Sequence, residues 1–227
     1  MARTPVWLSW SSGKDSAWTL HTLSQDDSFE VAALLTTVNS THQRVAMHAV
    51  REELLERQAD ALGLPLIKVP LPWPCSNAVY EEAMEAALAQ AHRDGIRHIA
   101  FGDLFLEDIR RYREAKLAGT GIEPLFPLWQ LDTAQLAQTM VASRLRAYLT
   151  CVDPKKLSPG FAGRLFDAKL LDELPPGVDP CGENGEFHTF AIDGPMFRYP
   201  IAVKPGEVVE RDGFVFADFR PRRLQPQ

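Results

Sequence analysis

Six consecutive residues, Ser11-Ser12-Gly13-Lys14-Asp15-Ser16, stand between an apolar run (Val6 to Trp10) and a helix-forming stretch that starts at Ser16. A loop at such a junction aims several backbone N–H groups and a helix N-terminus at one point, which suits an anion. Gly13 lets the backbone approach a phosphate closely. Ser11 and Ser16 offer hydroxyl donors, and Lys14 offers a mobile positive charge. Asp15 has no use as a phosphate ligand, but it fits a ligand for the Mg²⁺ that accompanies ATP. The six residues are therefore the candidate ATP-binding loop, with Lys14 and Asp15 as candidate catalytic groups. A Walker A loop fails twice: the position five before Gly13 is Leu8, and the residue after Lys14 is Asp15. That disfavours kinase-like transfer of a γ-phosphate. The plain alternative is a polar turn that happens to hold Gly, Ser and Lys.

A second cluster lies far along the chain, at Asp179-Pro-Cys-Gly-Glu-Asn-Gly-Glu-Phe-His-Thr189. Glycines there, Gly185 among them, let the loop fold around a ligand. The carboxylates Glu183 and Glu186 suit a metal, an amine or ammonium. Glu186 is the candidate for holding an incoming amine or accepting its proton. In an extended strand His188 would share its face, and Thr189 follows. The plain alternative is that Glu186 caps the loop's own N–H groups while His188 packs beneath it. Asp103 ends an apolar run and either faces a ligand or caps the next helix. Arg110 and Arg113 are candidates for a phosphate or a substrate carboxylate, although Arg110/Glu114 and Glu107/Arg111 also have the spacing of surface pairs. His48 reads as a helix-face residue, Tyr80 and Trp73 as packing, and Cys181 as structural.

The elements that must position these residues alternate. Strands are expected at Val6–Trp10, Glu30–Val38, Pro65–Val69 and His98–Phe101. Helices are expected at Ser16–Leu23, Val45–Leu62, Asn77–His92 (with Asn77 as N-cap) and Glu107–Leu117. Pro124–Trp129, with two prolines, reads as an irregular or edge strand. Alternation of this kind implies an α/β fold, a doubly wound parallel sheet with helices on both faces. After Trp129 the pattern changes to helices at Thr133–Ala142 and Ala162–Leu174 around a strand at Arg146–Val152. Three short runs, Phe187–Ile192, Tyr199–Val203 and Phe214–Phe219, then read as antiparallel strands. The expected division is an ATP-binding domain over residues 1–128 and a smaller mixed α+β substrate lobe over 129–227, with the site between them.

Composition narrows the partners. The net charge of −6 provides no broad basic field for a nucleic-acid backbone, so a small molecule or a protein is the expected substrate. The three cysteines form no CxxC pair, which argues against a zinc ribbon or redox motif. No apolar stretch approaches the ~20 residues that span a bilayer. A cytoplasmic location is expected, with no membrane or nucleic-acid partner and room for a homodimer.

The Ser11–Ser16 stretch resembles the SGGxDS motif of the PP-loop ATP pyrophosphatases, with Ser12 where that motif carries Gly. Because Ser resists positive φ, a less extreme loop or weaker binding is expected. Further stretches in the same order extend the resemblance over nearly the whole chain. They are Phe101 to Glu114 (FGDLFLEDIRRYRE), Pro127-Leu128-Trp129 and Gly182 to Thr189 (GENGEFHT). Together they resemble the diphthine–ammonia ligase family, N-type ATP pyrophosphatases of the adenine nucleotide alpha hydrolase-like fold. The resemblance implies ATP and Mg²⁺, adenylylation of a carboxylate (small-molecule or protein-borne, diphthine in the family) with release of pyrophosphate, and then amide formation with ammonia. It also implies that Asp103, Arg110, Arg113, Glu183, Gly185, Glu186, His188 and Thr189 bind substrate. The competing class is a nucleotide-binding sensor without turnover. A weaker one is sulfur transfer to a nucleic acid, disfavoured by the charge and the missing cysteine pair.

Overall fold

The structure, a computed structural model, describes residues 2–41, 44–45 and 50–222. The first half is built on a mostly parallel sheet. Its strands are β1 (Thr4–Ser9), β2 (Phe29–Asn39), β3 (Arg44–Val45), β4 (Leu66–Leu71), β5 (His98–Ala100) and β6 (Glu123–Leu125). The parallel order is β4-β2-β1-β5-β6, and short β3 pairs antiparallel with the end of β2. β5 lies beside β1, so the winding reverses between them, and the crevice beyond their carboxyl ends is the ligand position in such sheets.

Alternation along β1 explains why both faces are covered. Val6 and Leu8 point into one core with Leu20 of α1 (Lys14–Ser24) and Leu54 and Leu55 of α2 (Glu52–Leu62). Trp7 points into the other core, with Leu88 of α3 (Asn77–Arg93) and Leu117 of α4 (Glu107–Leu117). The second half is an antiparallel sheet of order β8-β7-β10-β9, formed by β7 (Arg146–Val152), β8 (Phe187–Asp193), β9 (Val203–Arg211) and β10 (Phe214–Pro221). It carries α5 (Thr133–Ala142) and α6 (Ala168–Glu173). Phe190, Phe166 and Met140 from this half join the α1/α2 core, so the two sheets share one apolar interior. Among the described residues, no helix is long and apolar enough to cross a membrane.

Several expectations are corrected. The helix expected over Val45–Leu62 starts only at Glu52, and Val45 belongs to β3; His48 lies outside the described residues. Ser76, not Asn77, caps α3, its hydroxyl accepting from the Val79 N–H. The helix expected over Ala162–Leu174 shrinks to α6, because residues 163–166 are drawn onto β7. Gly163 N–H donates to Leu149 O, Leu149 N–H to Arg164 O and Phe166 N–H to Ala147 O. Helical spacing cannot compete with that pairing once a strand edge is available. Residues 199–202 are not a strand; β9 follows them instead, its side chains mostly exposed and its apolar signal correspondingly weak. Trp73 is 65% exposed rather than packed.

Candidate functional site

The loop after β1 has a less relaxed backbone than its serine suggests. Ser12 holds φ at 70°, the value glycine would take with less strain, so the expectation of a less extreme loop is overturned. Long-range contacts hold it there. The Ser12 carbonyl accepts from the Ala191 N–H of β8 at 2.9 Å and from Gln58 Nε2 of α2 at 2.9 Å. Gln58, fully buried, also donates to Ala191 O at 2.7 Å and accepts from the Trp10 indole N–H at 2.9 Å. The only sequence signal for it is a polar residue on the apolar face of α2. Gln58→Leu should lower stability by about 1–3 kcal/mol, because the Trp10 N–H loses its acceptor in the core. Chemical denaturation measures this, and an unchanged midpoint would mean that the clamp is not what holds the loop.

Ser11 and Ser16 meet at 3.2 Å, and the Ser16 hydroxyl donates to Gly13 O at 3.0 Å. Gly13, the N-cap of α1, has no side chain with which to cap the helix, so its first-turn N–H groups look elsewhere for acceptors. Lys14 is not mobile. It is 1% exposed, and its Nζ donates to both oxygens of Asp15 at 2.8 Å and to the Cys181 carbonyl. The Phe166 and Phe187 rings lie 5.6 Å from that nitrogen. Burial pulls the Lys14 pKa down, but Asp15 above all, with Cys181 and Glu183, raises it beyond the ordinary value, so the charge is retained. Its backbone N–H donates to Thr189 Oγ1 at 3.0 Å, which joins the two sequence clusters across 175 positions.

The cleft between the halves has a volume of 420 Å³ and is lined by Ser11, Lys14, Asp15, Ser16, Asp103, Arg113, Glu183, His188 and Thr189, with Gly102 and Gly182. Gly102 packs closely on the start of α1, since a Cβ there would lie 3.1 Å from the Asp15 backbone carbon. Asp103 does not cap α4, whose N-cap is Leu106 without a side-chain bond; it pairs with Arg113 at 3.3 Å. Glu183 reaches across the crevice and accepts from the Leu104 N–H at 2.7 Å. Its own N–H and that of Cys181 donate to Asp179 Oδ1 at 3.1 and 2.9 Å, while Asp179 Oδ2 accepts from Thr133 at 2.6 Å. Asp179 is thus the organiser of the loop, a part the sequence reading did not assign. Burial pushes the Cys181 thiol up to about 12, partly offset by Lys14.

Five expected site residues lie outside this lining: Ser12 and Gly13, which shape the loop behind it, and Arg110, Gly185 and Glu186. Arg110 is stacked over Phe126 and Trp129 at 4.9 and 4.8 Å and pairs with Glu114 at 2.8 Å. Gly185, at φ 80°, makes the turn that lets the loop double back. Glu186 is 3% exposed beneath the loop, where its Oε1 accepts from the Asp179 N–H at 3.0 Å and from Asn184 at 3.3 Å. β8 begins only at Phe187, so Glu186 sits in the turn and His188 lines the cleft without it.

Glu183 is a third cleft residue with a shifted acid–base equilibrium. Burial raises its pKa from 4.5 to about 7; the Leu104 N–H and Lys14 oppose the rise, while Asp15 and Asp103 add to it. The folded state therefore holds a proton that the unfolded chain has released. The stability from this group is complete below about pH 4.5 and is lost as pH rises through about 7. Thermal melts across that window should show the wild type losing stability relative to Glu183→Gln. Parallel curves would mean that Glu183 titrates as an ordinary carboxylate.

Comparison with known proteins adds two kinds of match. A family profile described as diphthamide synthase N-terminal domain matches residues 5–122, and one described as diphthamide synthase C-terminal domain matches residues 132–218. Among curated relatives, the diphthine–ammonia ligase of Bos taurus is 29% identical over 196 residues, covering 78% of this chain and 70% of the relative. The protein of the same name from Homo sapiens is 28% identical with the same coverage. That from Danio rerio is 29% identical over 238 residues, covering 91% and 89%.

Proposed function

The chain belongs to the diphthamide synthase family, and from that premise we propose that it activates a carboxylate of the diphthine kind with ATP and turns it into an amide with ammonia. Its class is that of an ATP-dependent carbon–nitrogen ligase. The observation that carries the reading is the convergence of the phosphate loop and the glutamate loop on one cleft, tied by the Lys14 N–H to Thr189 hydrogen bond. A pure nucleotide sensor needs the first loop and has no use for the second.

In the proposed reaction, residues 1–128 hold ATP and, through Arg113, the incoming carboxylate, while residues 129–227 supply the glutamate loop that faces them. A substrate carboxylate oxygen attacks the α-phosphorus, the bond to the pyrophosphate oxygen breaks, and an acyl-adenylate forms. The first-turn N–H groups of α1, the Ser11 and Ser16 hydroxyls and the fixed Lys14 charge stabilise the departing pyrophosphate. Arg113 faces the same cleft and holds the incoming carboxylate. Ammonia nitrogen then attacks the acyl carbon and AMP leaves. The proton released on nitrogen goes to Glu183, whose pKa near 7 suits it to accept one from an ammonium-derived nucleophile. Glu183 thereby takes the part the sequence reading gave to Glu186, which holds the loop in shape.

Mg²⁺ fits this cleft in the mode usual for nucleotide enzymes, one or two carboxylates plus substrate phosphates. Asp15 opens on the cleft with 27% of its side chain exposed, and no group of three or more metal-ligating side chains occurs among the described residues. Asp15 would hold the ion, which supplies charge neutralisation for the pyrophosphate.

The test is product analysis with ATP, ammonium and a diphthine-bearing elongation factor. AMP, pyrophosphate and amide should form in equal amounts. ADP and orthophosphate as primary products would overturn the reading, and bound nucleotide without turnover would favour a sensor.

A further inference from the structure

Phe101 and Arg113 line not only the phosphate cleft but two more cavities. One, of 180 Å³, lies over the ends of β1 and β2 and shares Ser9 and Ser11 with the phosphate cleft. The other, of 350 Å³, opens between α3 and α4. Its floor is apolar, with Met84, Leu88 and Leu117, and its walls carry Tyr80, Tyr112 and Glu85. The three spaces adjoin where they share Phe101 and Arg113 as walls, and at that junction the Arg113 guanidinium lies 4.7 Å from the Phe101 ring centre.

We propose that the α3/α4 cavity houses the body of the carboxylate substrate, with its carboxyl group held at the junction by Arg113 and delivered into the phosphate cleft. This rests on the ligase reading above. The phosphates of ATP need a polar, donor-rich channel, and the phosphate loop supplies it, with the small β1/β2 cavity adjoining. The α3/α4 cavity has the opposite character, aromatic and aliphatic with a polar rim, as small-molecule sites usually have. At 350 Å³ it has room for a side-chain-sized group. Arg113 engages Asp103 through Nε, which leaves the terminal nitrogens of its fork for a bidentate carboxylate. The chemical class is an acid whose carboxyl stands on a short flexible arm attached to a flat or apolar body.

The experiment uses 4-phenylbutyrate as the probe, added to the full chain with a non-hydrolysable ATP analogue present and followed by saturation-transfer NMR. Binding is expected, and it should weaken at least tenfold in Glu85→Trp, which plugs the cavity mouth from an exposed helix position, and in Arg113→Met. Glu85→Trp should keep the melting temperature and the affinity for the ATP analogue. If the probe does not bind, or binds Glu85→Trp as tightly as wild type, the assignment is wrong even where AMP and amide are formed. If the probe behaves as expected but no amide forms with any carboxylate, the ligase reading falls while the cavity remains a carboxylate site.

Discussion

Lys14→Met should reduce AMP formation by ~10²–10³-fold, the usual loss when one donor aimed at developing negative charge is removed. Methionine is the right replacement because Lys14 is buried, and alanine would confound lost charge with an empty space. The thioether fills the slot between Phe166 and Phe187, whose rings lie close to Nζ. The substitution leaves Asp15 without its ammonium partner, so a lower melting temperature is also expected. The two effects separate by measuring turnover per folded, nucleotide-competent molecule well below the melt. A normal rate with a lowered melt would make Lys14 a structural counter-ion to Asp15 and the Cys181 carbonyl, and its place in catalysis would be lost.

Glu183→Gln should lower amide formation by ~10²–10⁴-fold, the range for loss of a positioned general base, while affinity for an ATP analogue stays within about twofold. Glutamine keeps an oxygen to accept from the Leu104 N–H, so the loop remains docked across the crevice. What disappears is the ability to take a proton. In the wild type, amide formation should rise with pH through about 7 as Glu183 ionises, and that inflection should vanish in the variant. Glu186→Gln is the control. Its carboxylate organises the turn from below, through the Asp179 N–H and Asn184, so this variant should lose thermal stability before it loses chemistry. The reverse pattern, a stable Glu186→Gln without turnover beside an active Glu183→Gln, would exchange the two roles.

The sequence by itself determined everything that depends on local order. Alternation of apolar runs and helical spacing placed β1, β2, β5, α1, α3, α4, α5 and β7 within a few residues, because period and propensity are properties of neighbouring side chains. It also placed the loop between β1 and α1, since a Gly-Lys-Asp-Ser run after an apolar strand is a local signature of a strand–helix turn. The tertiary structure decided what rests on contacts between distant positions. Ser12 keeps positive φ because Gln58 and Ala191, 46 and 179 positions away, hold its carbonyl. Residues 163–166 pair with β7 instead of coiling, since an unpaired strand edge satisfies more backbone groups than another helical turn. The glutamate loop shows the division most plainly. Two glutamates three residues apart look equivalent in sequence, yet one reaches Leu104 across the crevice and the other is folded under its own turn. Which carboxylate meets the cleft is fixed by the positive-φ turns at Gly182 and Gly185 and by the bonds that Asp179 makes around them, and no spacing rule along the chain encodes that choice.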